Sequence, residues 1–379
     1  MNRALPIEME RYLQENEETL VQKLLELARI PAPSGQEDRR AEWVKRFLEE
    51  AGAKGVFVDG AKNVLWPIGC EGADEIVVLM AHTDVVFPDL DPLPITVCGE
   101  RAVGPGVGDD TANLVAMLQI ARYAAQRGLR PKTGVVFAAN SCEEGLGNLK
   151  GCRAIMERYA GRVREVVSFD GHFGMLCNNA VGSTRRRVTV RTEGGHSFSA
   201  FGNRNAIYYL SSMITTLYAM KAPPFGKTTF NVGTISGGTS VNSIAQEASM
   251  LYEYRSDDRR GLEAMDRLFE SAADTYRAMG IEVESEILGV RPCAGAVDGA
   301  RLSELTERAK RYCEAFTGVP HMAGSASTDC NIPLSLGIPA VCFALVDGAG
   351  SHTREEWISL PSLKKGARLA AAFILQYFH

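Results

Sequence analysis

EIVVLMAHTDVV, residues 75–86, has the pattern of a buried strand that ends in a histidine and an aspartate. Three more apolar runs have strand length, namely TGVVFAAN (133–140), REVVSFD (164–170) and PAVCFALV (339–346). Such nearly continuous runs are typical of parallel strands that are covered on both faces. The segment 111–127 lies between the first two runs and has its apolar residues at helical spacing. Because strand and helix alternate, we predict a mainly parallel α/β sheet.

Four further helices are predicted around this sheet, at 6–30, 37–51, 299–317 and 362–378. The second of them follows the proline-rich turn PAPSGQED, in which Ser34 is the predicted helix cap. With helices on both sides of the sheet, the expected architecture has three layers, α/β/α.

The pattern changes near residue 183, where alternating, half-exposed strands begin. The predicted elements are a strand at 184–192, a helix at 204–221, strands at 228–235 and 247–255, a helix at 259–279 and a strand at 281–288. This β-α-β-β-α-β order is that of the ferredoxin-like motif. We therefore predict an α+β domain at 183–291, inserted into a discontinuous first domain formed by 1–182 and 292–379.

The composition argues against several classes of protein. Apolar residues make up 45% and charged residues 23% of the 379 residues, as is usual for globular enzymes. The net charge of −5, with both signs interspersed, argues against a general nucleic-acid surface. We find no secretory signal and no apolar run near the roughly 20 residues of a membrane span. The nine cysteines form no CxxC pair, so reduced thiols and a cytoplasmic location are expected.

Acidic and histidine residues follow the predicted strands where those strands end. His82 ends one apolar run, Glu143 and Glu144 follow a second, Asp170 ends a third, and His352 comes shortly after a fourth. In open α/β sheets, ligands bind beyond the carboxyl ends of the strands. Imidazole and carboxylate groups together suit divalent ions such as Zn²⁺, Mn²⁺ or Co²⁺, among which the residue types do not discriminate. A chance surface position is the alternative for each residue taken alone.

The segment GVGDDTA, residues 106–112, adds two aspartates in a glycine loop before a helix. A carboxylate is favoured at a helix N-terminus, and Asp109 there could bridge two cations. Asp110 is the alternative helix cap, with the helix beginning at Thr111. A phosphate-binding loop is disfavoured, because the spacing is not GxGxxG and two aspartates would repel phosphate.

The two paired motifs predict a division of labour. His82 and Asp84 are two apart in an extended segment, so Asp84 can accept the spare N–H of the imidazole. Adjacent glutamates do not easily face one ion, so one of Glu143 and Glu144 is expected on a metal and the other as a general base. For an isolated glutamate pair, two solvated loop carboxylates would be the better interpretation.

Taken together, these motifs resemble the M20 metallopeptidase family, which includes aminoacyl-tripeptidases, glutamate carboxypeptidases and acyl-amino-acid deacylases. The resemblance also covers SGQED (34–38), GGHSFSAFGNRNAI (194–207), GTISGGTSVNSIA (233–245), YRSDD (254–258) and STDCNIPLSLGIPAV (327–341). It implies that one zinc is held by His82, Asp109 and Asp170, and the other by Asp109, Glu144 and His352. It further implies that Glu143 is the general base, that Asp84 orients His82, and that the Asp109–Asp110 peptide is cis.

The resemblance also implies roles outside the metal set. The inserted domain would be a lid and a dimerisation surface, with His196 reaching the active site of a second subunit to stabilise the oxyanion. Asn242 and Arg255 would bind the substrate carboxylate, which a guanidinium group suits well. Gly324 and Ser325 resemble a loop that binds the same carboxylate. For Arg255, the alternative is a surface ion pair with Asp257 or Asp258.

Two positions depart from the family pattern. Thr111 stands where many members have lysine, and Glu253 stands where an aspartate is usual. Neither is a predicted ligand, so the prediction of metal binding stands. The predicted function is a cytoplasmic, dimeric, di-zinc hydrolase of amide bonds in small peptides. A deacylase of N-acyl amino acids or a carbamoyl-amino-acid amidohydrolase is the alternative, since one site serves all amide bonds. A catalytically silent member that binds metal or peptide, or a nucleotide-binding α/β protein, is a more distant one.

Overall fold

The computed structural model describes residues 5–379, which form two compact units. One unit comprises the chain up to Ala180 together with Gly295–His379, and the other comprises Val181–Ala294. The predicted inserted domain, 183–291, falls within the second unit. Its role as a lid and dimerisation domain stays a prediction.

Helices and strands alternate along most of the described chain. The α-helices are α1 (Ile7–Glu15), α2 (Glu17–Ala28), α3 (Asp38–Glu50), α4 (Asn113–Arg127), α5 (Lys150–Arg158), α6 (Ala206–Ala219), α7 (Arg259–Ala278), α8 (Gly299–Thr317), α9 (Asn331–Ser335) and α10 (Leu360–Ile374). The strands are β1 (Phe57–Val58), β2 (Val64–Ile68), β3 (Ile76–His82), β4 (Thr96–Cys98), β5 (Arg101–Val103), β6 (Gly134–Asn140), β7 (Val163–Phe169), β8 (Met175–Ala180), β9 (Gly182–Arg191), β10 (Gly195–His196), β11 (Thr228–Gly237), β12 (Ser243–Ile244), β13 (Glu247–Ser256), β14 (Glu282–Arg291), β15 (Met322–Ala326), β16 (Ala340–Phe343), β17 (Gly348–Ala349) and β18 (Trp357–Ser359).

The first unit is built on an eight-stranded sheet with the order β1-β2-β6-β3-β7-β16-β8-β15. The four central strands β6, β3, β7 and β16 are parallel, and every residue of β3, β6 and β16 is buried. Burial of whole strands explains why these runs are apolar throughout instead of alternating. Helices α4, α8 and α10 share one hydrophobic core with the sheet. The predicted mixed α/β fold with a central parallel sheet is confirmed.

Three predictions of local structure in the first unit are wrong. The helix predicted at 6–30 is two helices, α1 and α2, that break at Asn16, whose side chain donates to the carbonyl of Tyr12 (2.8 Å). Ser34 is not a helix cap, since α3 has Glu37 at its N-cap position without a side-chain capping bond. Asp110 is not a cap either, because α4 begins at Asn113 and the Asp110 carboxylate accepts the backbone N–H of His82 (2.9 Å).

The second unit is a four-stranded antiparallel sheet, β11-β13-β9-β14, packed against α6 and α7. Along β13, buried and more exposed residues alternate, so Met250, Tyr252 and Tyr254 enter the core with Phe269 of α7. This period of two is the pattern expected of a strand with one face covered. The predicted β-α-β-β-α-β order is confirmed, and β11 and β14 form the two edges.

A small sheet, β17-β18-β5-β4, carries two loops of the first unit. Trp357 pairs with Val103 in its register, and the backbone N–H of Gly104 donates to the carbonyl of Glu356 (2.8 Å). The chain after His352 is thereby fixed beside the glycine loop that precedes Asp109.

Among residues 5–379, no helix combines the length and the apolar character that a bilayer span requires. All nine cysteines in that part of the chain are free thiols, and Cys98 is exposed whereas the others are buried.

Candidate metal centre

The candidate metal ligands lie at the carboxyl edge of the central parallel strands. His82 is the last residue of β3, Asp170 follows directly on β7, and Glu144 lies four residues beyond the end of β6. His352 lies in the loop between β17 and β18, has a left-handed backbone (φ 66°) and a side chain that is 59% exposed. Since parallel strands present their carboxyl ends at one edge, separate motifs converge there.

Three groups of side chains place possible ligand atoms within 4.8 Å of one another in the described chain. The groups are His82–Asp109–Asp170, Asp109–Glu144–His352 and His82–Glu143–Glu144. The two carboxylate oxygens of Asp109 face different imidazoles, Oδ1 at 3.1 Å from Nε2 of His82 and Oδ2 at 3.3 Å from Nε2 of His352. Asp109 is thus the member shared by two of the three groups. The Asp109–Asp110 peptide is cis, as the resemblance implies.

The structure brings the carboxylates of the two adjacent glutamates together, although such neighbours do not easily face one ion. Glu143 and Glu144 each place an oxygen within 4.8 Å of the other and of a ring nitrogen of His82. Cys142, in the turn before them, adopts a left-handed backbone (φ 58°). Their separate roles therefore do not follow from spacing and stay a prediction.

Asp84 is a buried hydrogen-bond centre beneath the glutamate pair. Its carboxylate accepts the backbone N–H groups of Glu143 and Glu144, both at 2.9 Å. It also accepts the hydroxyl of Ser34 at 2.6 Å, which explains why Ser34 does not cap α3. Nδ1 of His82 lies 3.0 Å from the backbone oxygen of Asp84 and 3.4 Å from its carboxylate. The Asp84 carboxylate thus fixes the glutamate turn, whereas the nearer acceptor for the imidazole is the Asp84 backbone oxygen, and the orientation of His82 by the carboxylate stays a prediction.

The electrostatics of the cluster suit cations. Burial, and then the neighbouring charge of Asp109, raises the pKa of Asp170 to about 7. Hydrogen bonds to Asp109 and Glu144 raise the pKa of His352 to about 10. Burial alone would raise the pKa of Asp109, but hydrogen bonds to His352 and His82 outweigh it and lower that pKa. These buried acids either retain a proton or pair with an imidazolium group. Carboxylates and imidazoles are also the donors that bind divalent ions.

Sequence reasoning missed three charged residues that support the cluster. Glu37 is fully buried, and its Oε1 accepts the backbone N–H groups of Gly35 (2.7 Å) and Cys142 (3.2 Å). Arg40 is also fully buried and donates to the Thr83 carbonyl (2.9 Å). The third is Glu356, whose contacts are described below. Glu37 stands in the SGQED motif and Glu356 in GSHTREE, and no neighbouring residue signals which backbone groups they contact.

Two further histidines have structural contacts in the first unit. Nε2 of His172 lies 3.1 Å from the Ser351 hydroxyl, next to His352 in sequence. His321 is buried, and its Nε2 accepts the backbone N–H of Gly174 (3.1 Å) while Nδ1 lies 2.8 Å from the Val319 carbonyl. Its pKa is lowered by burial, so we assign His321 a neutral, structural role.

The predicted substrate residues are distributed over both units. His196 and Asn242 lie in the second unit, where the Asn242 carbonyl accepts the backbone N–H of Ser197 (2.9 Å). Gly324 and Ser325 lie in the first unit, in strand β15 and not in the predicted loop, and the register of the parallel pairing with β8 shifts between them.

The interpretation of Arg255 as an ion-pair partner of Asp257 or Asp258 is wrong. Its guanidinium binds Glu253, with Nε at 2.9 Å and Nη2 at 3.1 Å from the carboxylate oxygens. Asp258 instead pairs with Arg260, and Asp257 accepts the backbone N–H of Lys227. Glu253 is one of the two positions that depart from the family pattern, and both its oxygens are engaged by Arg255.

Comparison with known proteins agrees with this geometry. Residues 78–376 match the family model of peptidase family M20/M25/M40. A succinyl-diaminopimelate desuccinylase of Corynebacterium glutamicum is 26% identical over 370 residues, 94% of this chain and 95% of the relative. The crystal structure of aminopeptidase PepT from Bacillus cereus superposes with a TM-score of 0.73 at 23% identity, covering 95% of this chain and 98% of that one. A dinuclear metal-binding M20 peptidase of Bacillus subtilis superposes with a TM-score of 0.66 at 17% identity, over 96% and 99% of the two chains. The chain belongs to peptidase family M20/M25/M40 and is a hydrolase of the peptidase and deacylase type.

Proposed function

We propose that this protein is a two-metal hydrolase that cleaves an amide bond in small peptides. The observation that carries the proposal is Asp109, whose two carboxylate oxygens lie 3.1 and 3.3 Å from two different imidazoles. His82 and Asp170 would complete one ligand set around it, and Glu144 and His352 the other. When bound, the ions would supply positive charge that polarises the scissile carbonyl and acidifies water. Zinc is the first choice, with cobalt and manganese as alternatives.

Glu143 is the proposed general base. Its carboxylate lies within 4.8 Å of possible ligand atoms of His82 and Glu144, and its backbone N–H is fixed by Asp84. A base in this place can take a proton from the attacking water and return it to the leaving amine. The intact carboxylate disfavours the catalytically silent alternative, and the acidic loop at Asp109 disfavours a nucleotide-binding one.

His196 is the proposed oxyanion donor, acting from a second copy of the chain. Its Nδ1 accepts the backbone N–H groups of Phe198 (3.3 Å) and Ser199 (3.4 Å), so the proton of the neutral ring resides on Nε2. An exposed N–H of this kind is the group that stabilises a developing oxyanion.

We propose that the second unit forms a homodimer through the edge strand β11. This strand pairs with β13 on one side only, and Ile235 on it is 54% exposed. Ile207 and Tyr208 of α6 are exposed as well. An open strand edge beside exposed apolar side chains is typical of an interface.

Arg255 and Asn242 are the proposed binders of the substrate carboxylate, with Gly324 and Ser325 as further candidates. Glu253 holds the Arg255 guanidinium through two hydrogen bonds, which leaves other N–H donors of the fork for a ligand. The cytoplasmic location predicted from the cysteines belongs to the same proposal, and cell fractionation tests it.

A deacylase of N-acyl amino acids is the second candidate, because the Corynebacterium glutamicum relative is a desuccinylase. A carbamoyl-amino-acid amidohydrolase would use the same groups.

The deciding experiment is a hydrolysis screen of the metal-free protein reconstituted separately with Zn²⁺, Mn²⁺ and Co²⁺. The substrates are dipeptides, tripeptides, N-acetyl, N-succinyl and N-carbamoyl amino acids, and Glu143→Gln is the control for contaminating activity. Preferred cleavage of peptides supports the first candidate, and preferred cleavage of N-acyl or N-carbamoyl compounds supports the second. Absence of both hydrolysis and metal binding would overturn the proposal.

A further inference from the structure

Glu356 is a buried carboxylate whose hydrogen bonds all go to one short backbone segment. Its side chain is fully buried, and its Oε1 accepts the backbone N–H groups of Gly108 (2.8 Å) and Asp109 (2.6 Å). Oε2 accepts the backbone N–H of Gly106 (2.8 Å). Among residues 5–379, Glu356 forms no ion pair. These three amide donors are the hydrogen-bond partners of the buried carboxyl group.

The glycine loop is shaped to receive that carboxylate. A Cβ atom at Gly108 would lie 2.7 Å from Oε1 of Glu356 and 2.8 Å from Ile358, so a larger residue would displace the carboxylate. Gly106 has a left-handed backbone (φ 69°), which turns its N–H toward Oε2 at low steric cost. Gly108 thus permits the close approach of an acid from another part of the chain, and Gly106 permits the left-handed turn beside it.

The buried side chain of Arg40 contacts the same loop at Thr111. Nη1 of Arg40 donates to the Thr111 hydroxyl (3.1 Å), and this hydroxyl donates to the Gly106 carbonyl (2.5 Å). Gly106 is therefore held at its carbonyl through Thr111 and at its N–H by Glu356. These contacts fix Gly106 before Asp109 and Thr111 after it.

We propose that Glu356 is the positioning residue for Asp109, holding its backbone so that each carboxylate oxygen faces a different ligand set. This inference rests on the two-metal site proposed above. Asp109 belongs to both ligand sets, so a loosened backbone weakens both sites together. Residues that orient metal ligands typically contribute about 10–100-fold in metal affinity.

The test is Glu356→Gln, which keeps the shape of the side chain but replaces one acceptor oxygen by an NH₂ group, which can only donate. The matched control is Glu355→Gln, the same change at the adjacent, exposed glutamate. Metal-free proteins are titrated with Zn²⁺ by calorimetry and with Co²⁺ by visible absorption, well below their melting temperatures. We expect both affinities to fall about 10–100-fold in Glu356→Gln, with an altered Co²⁺ spectrum, and Glu355→Gln to match the wild type.

The outcomes separate this inference from the proposed function. If the wild type binds fewer than two ions, the two-metal function itself is overturned. If the wild type binds two and Glu356→Gln binds them equally well, with only a lower Tm, then Glu356 is structural and the positioning role is wrong. Should Glu356→Gln not fold, Glu356→Asp replaces it, because the shorter side chain keeps a carboxyl group but withdraws it from the N–H groups of Gly106, Gly108 and Asp109. It is then expected to weaken both affinities several-fold, and unchanged affinities would contradict the inference.

Discussion

The candidate metal centre of the first unit and the proposed substrate surface of the second unit are built differently. The cluster consists of buried acids whose positions are fixed by backbone N–H groups, as at Asp84 and Glu356. The second unit presents exposed groups with few contacts, such as His196 and its neighbours Phe198 and Phe201, which are 88% and 90% exposed. A site that binds ions needs fixed geometry, whereas exposed apolar groups are typical of surfaces that bind a substrate or a second copy. Changes in the two regions should therefore fail in different ways.

The largest effect is expected from Glu143→Gln, since it removes the proposed base and keeps the shape of the side chain. We expect kcat to fall about 10²–10⁴-fold while two metal ions remain bound. Steady-state kinetics and metal analysis of the same sample measure both quantities. Glu144→Gln is the contrasting change, because loss of a ligand should reduce metal content as well. Undiminished kcat in Glu143→Gln would remove its role as base.

His196→Ala tests the second region, and we expect kcat to fall about 10²–10³-fold, as on loss of an oxyanion donor. Metal content should remain unchanged, in contrast to a ligand change. His379→Ala, at the exposed chain end, is the control. Mixing inactive His196→Ala with inactive Glu143→Gln should restore activity if each site combines residues of two copies. If the mixture stays inactive although subunits exchange, His196 does not act from a second copy.

Positions at the ends of predicted strands could be derived from the sequence, whereas their supports could not. His82 and Asp170 follow from apolar runs of strand length, because a parallel sheet brings such ends together. Ser34, Arg40 and Glu356 contact backbone or side-chain groups that are distant in sequence, and a carboxylate that accepts amide N–H groups needs no particular residue type opposite it. The strands β8 and β15 at one end of the sheet were not predicted for a related reason, since their largely half-buried or exposed residues have little apolar pattern.

Metal affinity is expected to fall as the pH decreases through about 7. A ligand binds a metal in its deprotonated form, so protons compete with the ion. The pKa of Asp170 is raised to about 7 and that of His352 to about 10 in the metal-free protein. Both shifts raise the pKa, so each group carries a proton below that pH and must lose it when the ion binds. The fall should be up to about tenfold per pH unit for each proton displaced.

Calorimetry in two buffers of different ionisation enthalpy measures the number of protons released. Proton release that is absent at pH 6, or affinity that rises as the pH falls, would contradict the assignment of these two ligands. The same titration with EDTA-treated and untreated protein shows whether metal removal is reversible.

The smallest effect concerns the proposed interface, and it is tested by a pair of matched changes. Ile235 on β11 is 54% exposed and Ile287 on β14 is 53% exposed, so the two side chains differ mainly in which sheet edge they occupy. A lysine on an edge strand opposes pairing with another strand, so Ile235→Lys should weaken dimerisation by about tenfold or more. Ile287→Lys should leave it unchanged, and the melting temperatures of both variants should stay close to that of the wild type because neither side chain is buried. Sedimentation velocity over a concentration series compares the three proteins. Equal weakening by both changes would indicate a general charge effect, and weakening by Ile287→Lys alone would move the interface to the opposite edge.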